Sequence, residues 1–167
     1  MKQRRVVVTG LGIISSLGHT YAEVVSHLKL GDSGIHTIPK WKELGFSSTI
    51  AGDLGDLTEK LEHANIKKSQ LAFASEAAIF SILSAKDAIL SANLSDEDLH
   101  SPRMGCIVGS GVGGLMSIFL GAEKIYQHQV KRANPYTVCH GMSNSCSASL
   151  ANIFGIKGRS YSISSAC

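Results

Sequence analysis

Met104-Gly-Cys-Ile-Val-Gly-Ser-Gly-Val-Gly-Gly-Leu115 is the stretch on which the fold turns. Its apolar run up to Val108 suits a strand buried in a sheet. The glycines of Gly109-Ser-Gly-Val-Gly-Gly114 then break the extended chain. From Leu115 to roughly Lys131 the spacing predicts a helix. A strand, a glycine turn and a helix in that order form the repeating unit of α/β architecture.

The same alternation extends to both sides. Val6-Val-Val8 is β-branched and reads as a buried central strand that Gly10-Leu-Gly12 ends. Thr20-Tyr-Ala-Glu23 has capping-box spacing, so a helix with Val24, Val25 and Leu28 inward should run to Gly31. Residues 31–66 hold only short elements. Between about Lys68 and Ala92, Leu71, Ala74, Ala78, Ile82, Ala85 and Ile89 recur every three or four positions, the stripe of one long helix. Ser95-Asp-Glu-Asp98 starts a short helical turn, and Asn134-Pro135 opens a new element. Met142, Cys146, Leu150 and Phe154 predict a further single helix, and Ser160 to Ala166 a last strand. The expected fold class is α/β with a largely parallel sheet, in one domain over residues 1–167.

Composition narrows the function classes. Hydrophobic residues make up 44% of the chain and charged residues 17%, against about a quarter charged in an average domain. Less surface than usual is built to meet water, as in a compact enzyme or a piece lying against a partner. A net charge of +3, scattered along the chain, gives no footing for nucleic-acid binding. Lys2-Gln-Arg-Arg5 before an apolar run looks like a signal peptide, but glycines and a threonine interrupt that run. No segment stays apolar for the length a membrane span needs. The cysteines, Cys106, Cys139, Cys146 and Cys167, show no CxxC spacing, which points to reduced, cytoplasmic thiols rather than a disulfide framework.

Two motifs carry chemistry. Gly109-x-Gly111-x-x-Gly114 between strand and helix matches a dinucleotide fingerprint, and Gly10-Leu-Gly12 is a near match. A dinucleotide-binding oxidoreductase is therefore the alternative reading. Its second half is missing, since no Asp or Glu follows Gly111 at about twenty residues. The other motif is the ending, Tyr161-Ser-Ile-Ser-Ser-Ala-Cys167, a short β run that delivers a thiol to a turn of small residues. At such an elbow the N-terminus of a following helix would favour thiolate. Cys106 reads as strand core, Cys146 as helix core, and Cys139 is open. The seven histidines form no metal-ligand array, Cys139-His140 reads as structural, and no cofactor is expected.

Together, Val7-Val-Thr-Gly-Leu-Gly-Ile-Ile-Ser-Ser-Leu-Gly18, Ser33-Gly34-Ile35, the loop Gly109–Gly114 and the Tyr161–Cys167 ending closely resemble the β-ketoacyl-acyl carrier protein synthases. The ending is most similar to the type I condensing enzymes of bacterial fatty acid synthesis, with type II as the alternative. The resemblance implies a thiolase-like fold, layered α-β-α-β-α in the complete protein, of which residues 1–167 would form most of the N-terminal half. It implies a homodimer acting on acyl- and malonyl-loaded acyl carrier protein, by decarboxylative condensation to a 3-oxoacyl chain two carbons longer. Cys167 would hold the acyl group. The family's catalytic histidines match none in this chain, so residues 1–167 by themselves would not turn over.

Further residues follow from the same resemblance. Val112 matches a position that limits the acyl channel, where relatives carry glycine or isoleucine. Met142 matches a residue that reaches the neighbouring subunit's pocket, and Thr137 stands beside it as a weaker match. The family's basic docking patch for the acidic carrier precedes the long helix. Lys67 and Lys68 stand there, while Ser69 and Ala72 fall where Lys or Arg is expected.

Overall fold

The computed structural model describes residues 4–165. In chain order the elements are α1 (Tyr21–Leu30), β1 (Ile35–Thr37), α2 (Pro39–Glu43), β2 (Ile50–Gly52), α3 (Thr58–His63), α4 (Lys68–Leu71), α5 (Glu76–Ser91), α6 (Asp96–Leu99), β3 (Cys106–Gly109), α7 (Leu115–Tyr126), α8 (Thr137–Gly141), α9 (Ser145–Phe154) and β4 (Ser160–Ile163). A single 3-10 turn, Val130–Arg132, follows α7.

Local sequence signals set several boundaries. Thr20 caps α1 in a full capping box with Glu23, and Gly31 closes it in the left-handed region at φ 74°. The Glu23 carboxylate accepts from the amides of His19 (2.9 Å) and Thr20 (3.0 Å). The His19 contact above all, then Thr20, holds that carboxyl below its ordinary range. Ser95 and Asp98 form a second capping box at α6.

The core is built around α9. On one side it packs against α5, and on the other against β3 and β4. Ala74, Ala78, Ile82, Cys146 and Leu150 form the buried cluster, with Cys106, Val108, Ile153 and Phe154 against it. β3 and β4 pair in parallel, with Cys106 opposite Ser160 and Gly109 opposite Ile163. β1 and β2 form a separate antiparallel pair, Ile35 opposite Gly52.

Four expectations need correction. The long helix is interrupted: α4 ends at Leu71 and α5 begins at Glu76. Ala72 closes the first stretch, and Ser75 caps the second, its hydroxyl accepting from the Ala78 amide at 3.2 Å. The helix over Met142 to Phe154 also breaks. Met142 is extended (φ -72°, ψ 140°) at the end of α8, and only Cys146, Leu150 and Phe154 share α9. Leu28 is exposed on α1, which buries Val24 alone. Finally, Val6-Val-Val8 forms no strand among the described residues and is exposed, because no neighbouring backbone pairs with it. The next turn does pack: a methyl group on Gly12 would collide with the Ser84 carbonyl of α5.

Ile82 is 0% exposed at the centre of the cluster. Ile82→Ala should lower unfolding free energy by about 2–5 kcal/mol, read from the shift in denaturation midpoint, whereas Leu28→Ala on the exposed face should cost less than about 0.5 kcal/mol.

Candidate active site

The loop Ser110–Gly114 sits where β3 hands over to α7, and both of its ends are tied down. At the sheet end, the Ser110 amide donates to the Ile163 carbonyl of β4 at 3.1 Å. The Ser164 hydroxyl donates to the Gly111 carbonyl at 3.2 Å, and Ser110 Oγ donates to the Val112 carbonyl at 3.1 Å. Ser164 is three positions before Cys167, so the loop and the approach to that thiol share hydrogen bonds. Cys167 itself lies outside the described residues.

At the helix end the loop presses on α8. A Cβ on Gly113 would lie 2.9 Å from the Gly141 carbonyl carbon, and one on Gly114 would lie 2.7 Å from Ser75 Cβ. The Gly114 amide donates to the His140 carbonyl. Gly113 and Gly114 are thus closed in by protein and the Gly114 amide is taken, so the helix end of the motif serves close packing, whereas Gly109 and Gly111 have open space around them.

His140 is the residue that sequence reasoning undervalued. It is only 6% exposed, although its neighbours in sequence gave no sign of burial. Its Nε2 is 3.0 Å from the Ala72 carbonyl and its Nδ1 3.1 Å from Ser117 Oγ. A carbonyl can only accept, so Nε2 donates to Ala72, and in the neutral ring Nδ1 accepts from the serine hydroxyl. The ring ties the break after α4 to the first turn of α7. The expectation that Cys139-His140 is structural rather than a catalytic pair agrees with this geometry, since Cys139 points to the exposed surface.

The other expected site residues fall into two groups. Val112 (56% exposed) and Met142 (49% exposed) lie on either side of the Gly113–Gly141 contact, with side chains open. Thr137 starts α8 instead, its hydroxyl donating to the Asn134 carbonyl at 2.7 Å and its methyl against Gly121 of α7. Between α5 and α7 lies an apolar cleft of about 720 Å³, lined by Phe80, Gly113, Leu115, Met116 and Phe119 among others. Lys67 and Lys68 are exposed at the start of α4. No cluster of His, Cys, Asp or Glu that could hold a metal ion occurs among the described residues.

Residues 3–167 match the family model described as the β-ketoacyl synthase, N-terminal domain. The chain belongs to the β-ketoacyl synthase family. The 3-oxoacyl-[acyl-carrier-protein] synthase 1 of Haemophilus influenzae is 37% identical over 98% of this chain and 40% of its own length. The chain thus spans about 40% of the length of such relatives. The solved ishigamide ketosynthase/chain length factor superposes with a TM-score of 0.83 at 23% identity, over 96% of this chain and 40% of that one. A type II polyketide synthase acyl-carrier protein in complex with its ketosynthase, bound to the hexaketide, gives a TM-score of 0.69 at 20% identity, over 96% and 41%. The fold of this ketosynthase domain is accordingly thiolase-like α/β.

The cysteines differ in environment in a way that can be measured. Burial pushes the Cys106 thiol up, Cys146 is buried at the core, and Cys139 is exposed. In the native protein an alkylating reagent at neutral pH should modify Cys139 well before Cys106, and Cys146 only after denaturant is added. Peptide mass mapping over time gives the order.

Proposed function

We propose that the complete polypeptide is a 3-oxoacyl-acyl carrier protein synthase, an acyltransferase of fatty acid elongation, and that residues 1–167 are its N-terminal domain. In the proposed reaction the Cys167 thiolate attacks the carbonyl carbon of an acyl-carrier thioester. The carrier's thiolate leaves, and the acyl group remains on the enzyme. Malonyl-carrier protein then loses carbon dioxide, and the electron pair left on its α-carbon attacks the acyl-enzyme carbonyl. Collapse of that second tetrahedral adduct expels Cys167 as thiolate and leaves a 3-oxoacyl chain two carbons longer on the carrier. Each adduct places charge on an oxygen, and a backbone amide at Cys167 is suited to receive it.

One observation carries this reading. The strand that leads to Cys167 is hydrogen-bonded to the glycine loop through Ser164 and Gly111, in a chain of which residues 3–167 match the ketosynthase N-terminal domain. In this reading an acyl chain held on Cys167 would meet the glycine loop. Val112 then limits the acyl channel, and Met142, with Thr137 as the weaker candidate beside it, reaches the acyl pocket of the neighbouring subunit.

Acyl carrier protein is the proposed partner, acyl- and malonyl-loaded, and a ketosynthase of this fold has been solved with its carrier bound. Lys67 and Lys68 offer exposed positive charge for an acidic carrier. We also place the enzyme in the cytoplasm as a homodimer. Among the described residues no helix is long and apolar enough to cross a membrane, and no role for a cofactor arises in the reaction.

The test is covalent loading. Incubated with an acyl-carrier thioester, the complete polypeptide should gain the mass of one acyl group on the peptide containing Cys167. Cys167→Ala should lose both that adduct and condensation, by on the order of a thousandfold or more. An adduct on Cys139 instead, or undiminished condensation by the variant, would end this reading.

A further inference from the structure

We infer that a cavity between α7 and the entry to α8 is a binding site for a small phosphate group, held by Lys124 and Arg132. The site stands apart from the condensation chemistry and adds a ligand to the domain.

The cavity measures about 240 Å³ and takes its walls from three segments. Helix α7 contributes Ser117, Gly121 and Lys124, spaced three or four apart and so on one face. The 3-10 turn after α7 contributes Arg132, and the entry to α8 contributes Asn134 and Thr137. Gly121 makes the close approach of the two helices possible, since a Cβ there would lie 2.7 Å from the Thr137 methyl.

Charge decides what such a cavity takes. Of the described residues that line it, two are cations and none is a carboxylate. Neither Lys124 nor Arg132 is ion-paired among the described residues. Lys124 is half-buried, and its amine meets the neutral Gln127 side chain at 3.4 Å. The neighbouring acid, Glu123, does not line the cavity, and its carboxylate accepts from Gln127 at 3.0 Å. An ammonium drawn partly out of water without a counter-charge is destabilising, and an anion from solution would offset that penalty.

The remaining polar atoms narrow the ligand. Asn134 Oδ1 accepts from the Tyr136 amide at 2.9 Å, which leaves the NH2 of that side chain as a donor. The Thr137 hydroxyl is committed to the Asn134 carbonyl at 2.7 Å, and Ser117 Oγ to His140 Nδ1 at 3.1 Å. The donors left for a ligand are therefore an ammonium, a planar guanidinium and an amide. That set matches a tetrahedral oxyanion, with the guanidinium taking two oxygens and the ammonium a third. A phosphate group near neutral pH carries about −1.5 to −2 charge, which two cations balance, whereas a carboxylate leaves one over. Pockets for drug-sized ligands run to about 300–1,000 Å³, so this smaller one suits a phosphate group and not a nucleotide or an acyl chain. Inorganic phosphate and the phosphate end of a small monoester present the same chemistry. Shared by Lys124 and Arg132, the anion would join the 3-10 turn to α7, so binding should also raise Tm.

The experiment titrates the complete polypeptide with inorganic phosphate, and in a second arm with glycerol phosphate, at constant ionic strength in chloride. Phosphorus NMR line width and Tm are followed together. A single saturable site per chain is expected, with Tm rising in step. Lys124→Gln and Arg132→Gln should each weaken binding by about tenfold or more. Asn134→Asp keeps the acceptor for the Tyr136 amide yet puts a carboxylate in the cavity, and it should weaken binding at least as much, which decides the matter if a charge variant does not fold. Lys29→Gln, on α1, should bind as the unaltered chain does. Acetate should compete at least about tenfold more weakly than phosphate. Saturation in the inorganic arm alone makes free phosphate the ligand, and saturation in the glycerol phosphate arm alone makes it a monoester. Unsaturable broadening in both arms, equal competition by acetate, unchanged affinity in the cavity variants, or an equal loss in Lys29→Gln would overturn the inference.

Discussion

Burial of α9 on both sides is the constraint from which the rest of this structure follows. A helix pressed between another helix and a sheet cannot carry large side chains all round, and α9 does not: Ser145, Cys146, Ser147, Ser149 and Leu150 are its buried residues. Small side chains bring the backbones close, but the serines must then find partners inside. Ser145 and Ser147 do so in pairs that cross the layers. Ser145 meets Ser75 at 3.1 Å on the α5 side. Ser147 meets Ser162 of β4 at 2.6 Å on the other. Ser147 Oγ also lies 3.2 Å from the Asn144 carbonyl. Among the described residues no buried side-chain nitrogen or oxygen is left without a partner.

Those hydroxyl pairs do more than satisfy polarity. Apolar packing is non-directional and would let α9 rotate or slip by a fraction of a turn. A hydrogen bond from each side fixes its rotation and its height at once. Ser75 also caps α5 and so places α5 relative to α9, while Ser162 places β4, the strand that leads toward Cys167. The position of the thiol's approach is thus referred back through Ser162, Ser147, Ser145 and Ser75 to the N-terminus of α5. The loop Ser110–Gly114 belongs to the same frame through Ile163, Ser164 and His140.

The sequence made some of this legible and hid the rest, for physical reasons. Capping boxes at Thr20 and Ser95 could be read because their chemistry is local, complete within four residues. A strand reaching Val108, a strand from Ser160, and Cys146 as core were legible from apolar runs and periodicity, while the pairing of those two strands was not. Periodicity failed at Ser75 and at Met142, where the apolar spacing continues across a break in the helix. A hydrophobic stripe reports which residues are covered, not whether the backbone between them is continuous. The ring contacts of His140 were hidden, because both partners, Ala72 and Ser117, are distant in sequence. The site could be proposed from its thiol and glycines; the His140 tie beside it could come only from coordinates.

One tension in the fold points outward. Parallel strands almost always have both faces covered, yet in β3 only alternate residues are. Cys106 and Val108 lie on α9, whereas Ile107 on the opposite face is 70% exposed. Tyr161 and Ile163 of β4 share that open face with it, in the register that pairs Ile107 with Tyr161. The outward side of α7 is likewise apolar at Leu115, Met116 and Phe119. Chain composition agrees, since only 17% of residues are charged. A surface this poor in charge and this rich in aliphatic and aromatic groups is built to be covered rather than solvated. The open sheet face is therefore not a defect in the packing argument but its continuation: the strand pair that α9 orients on one side presents a second, equally regular face.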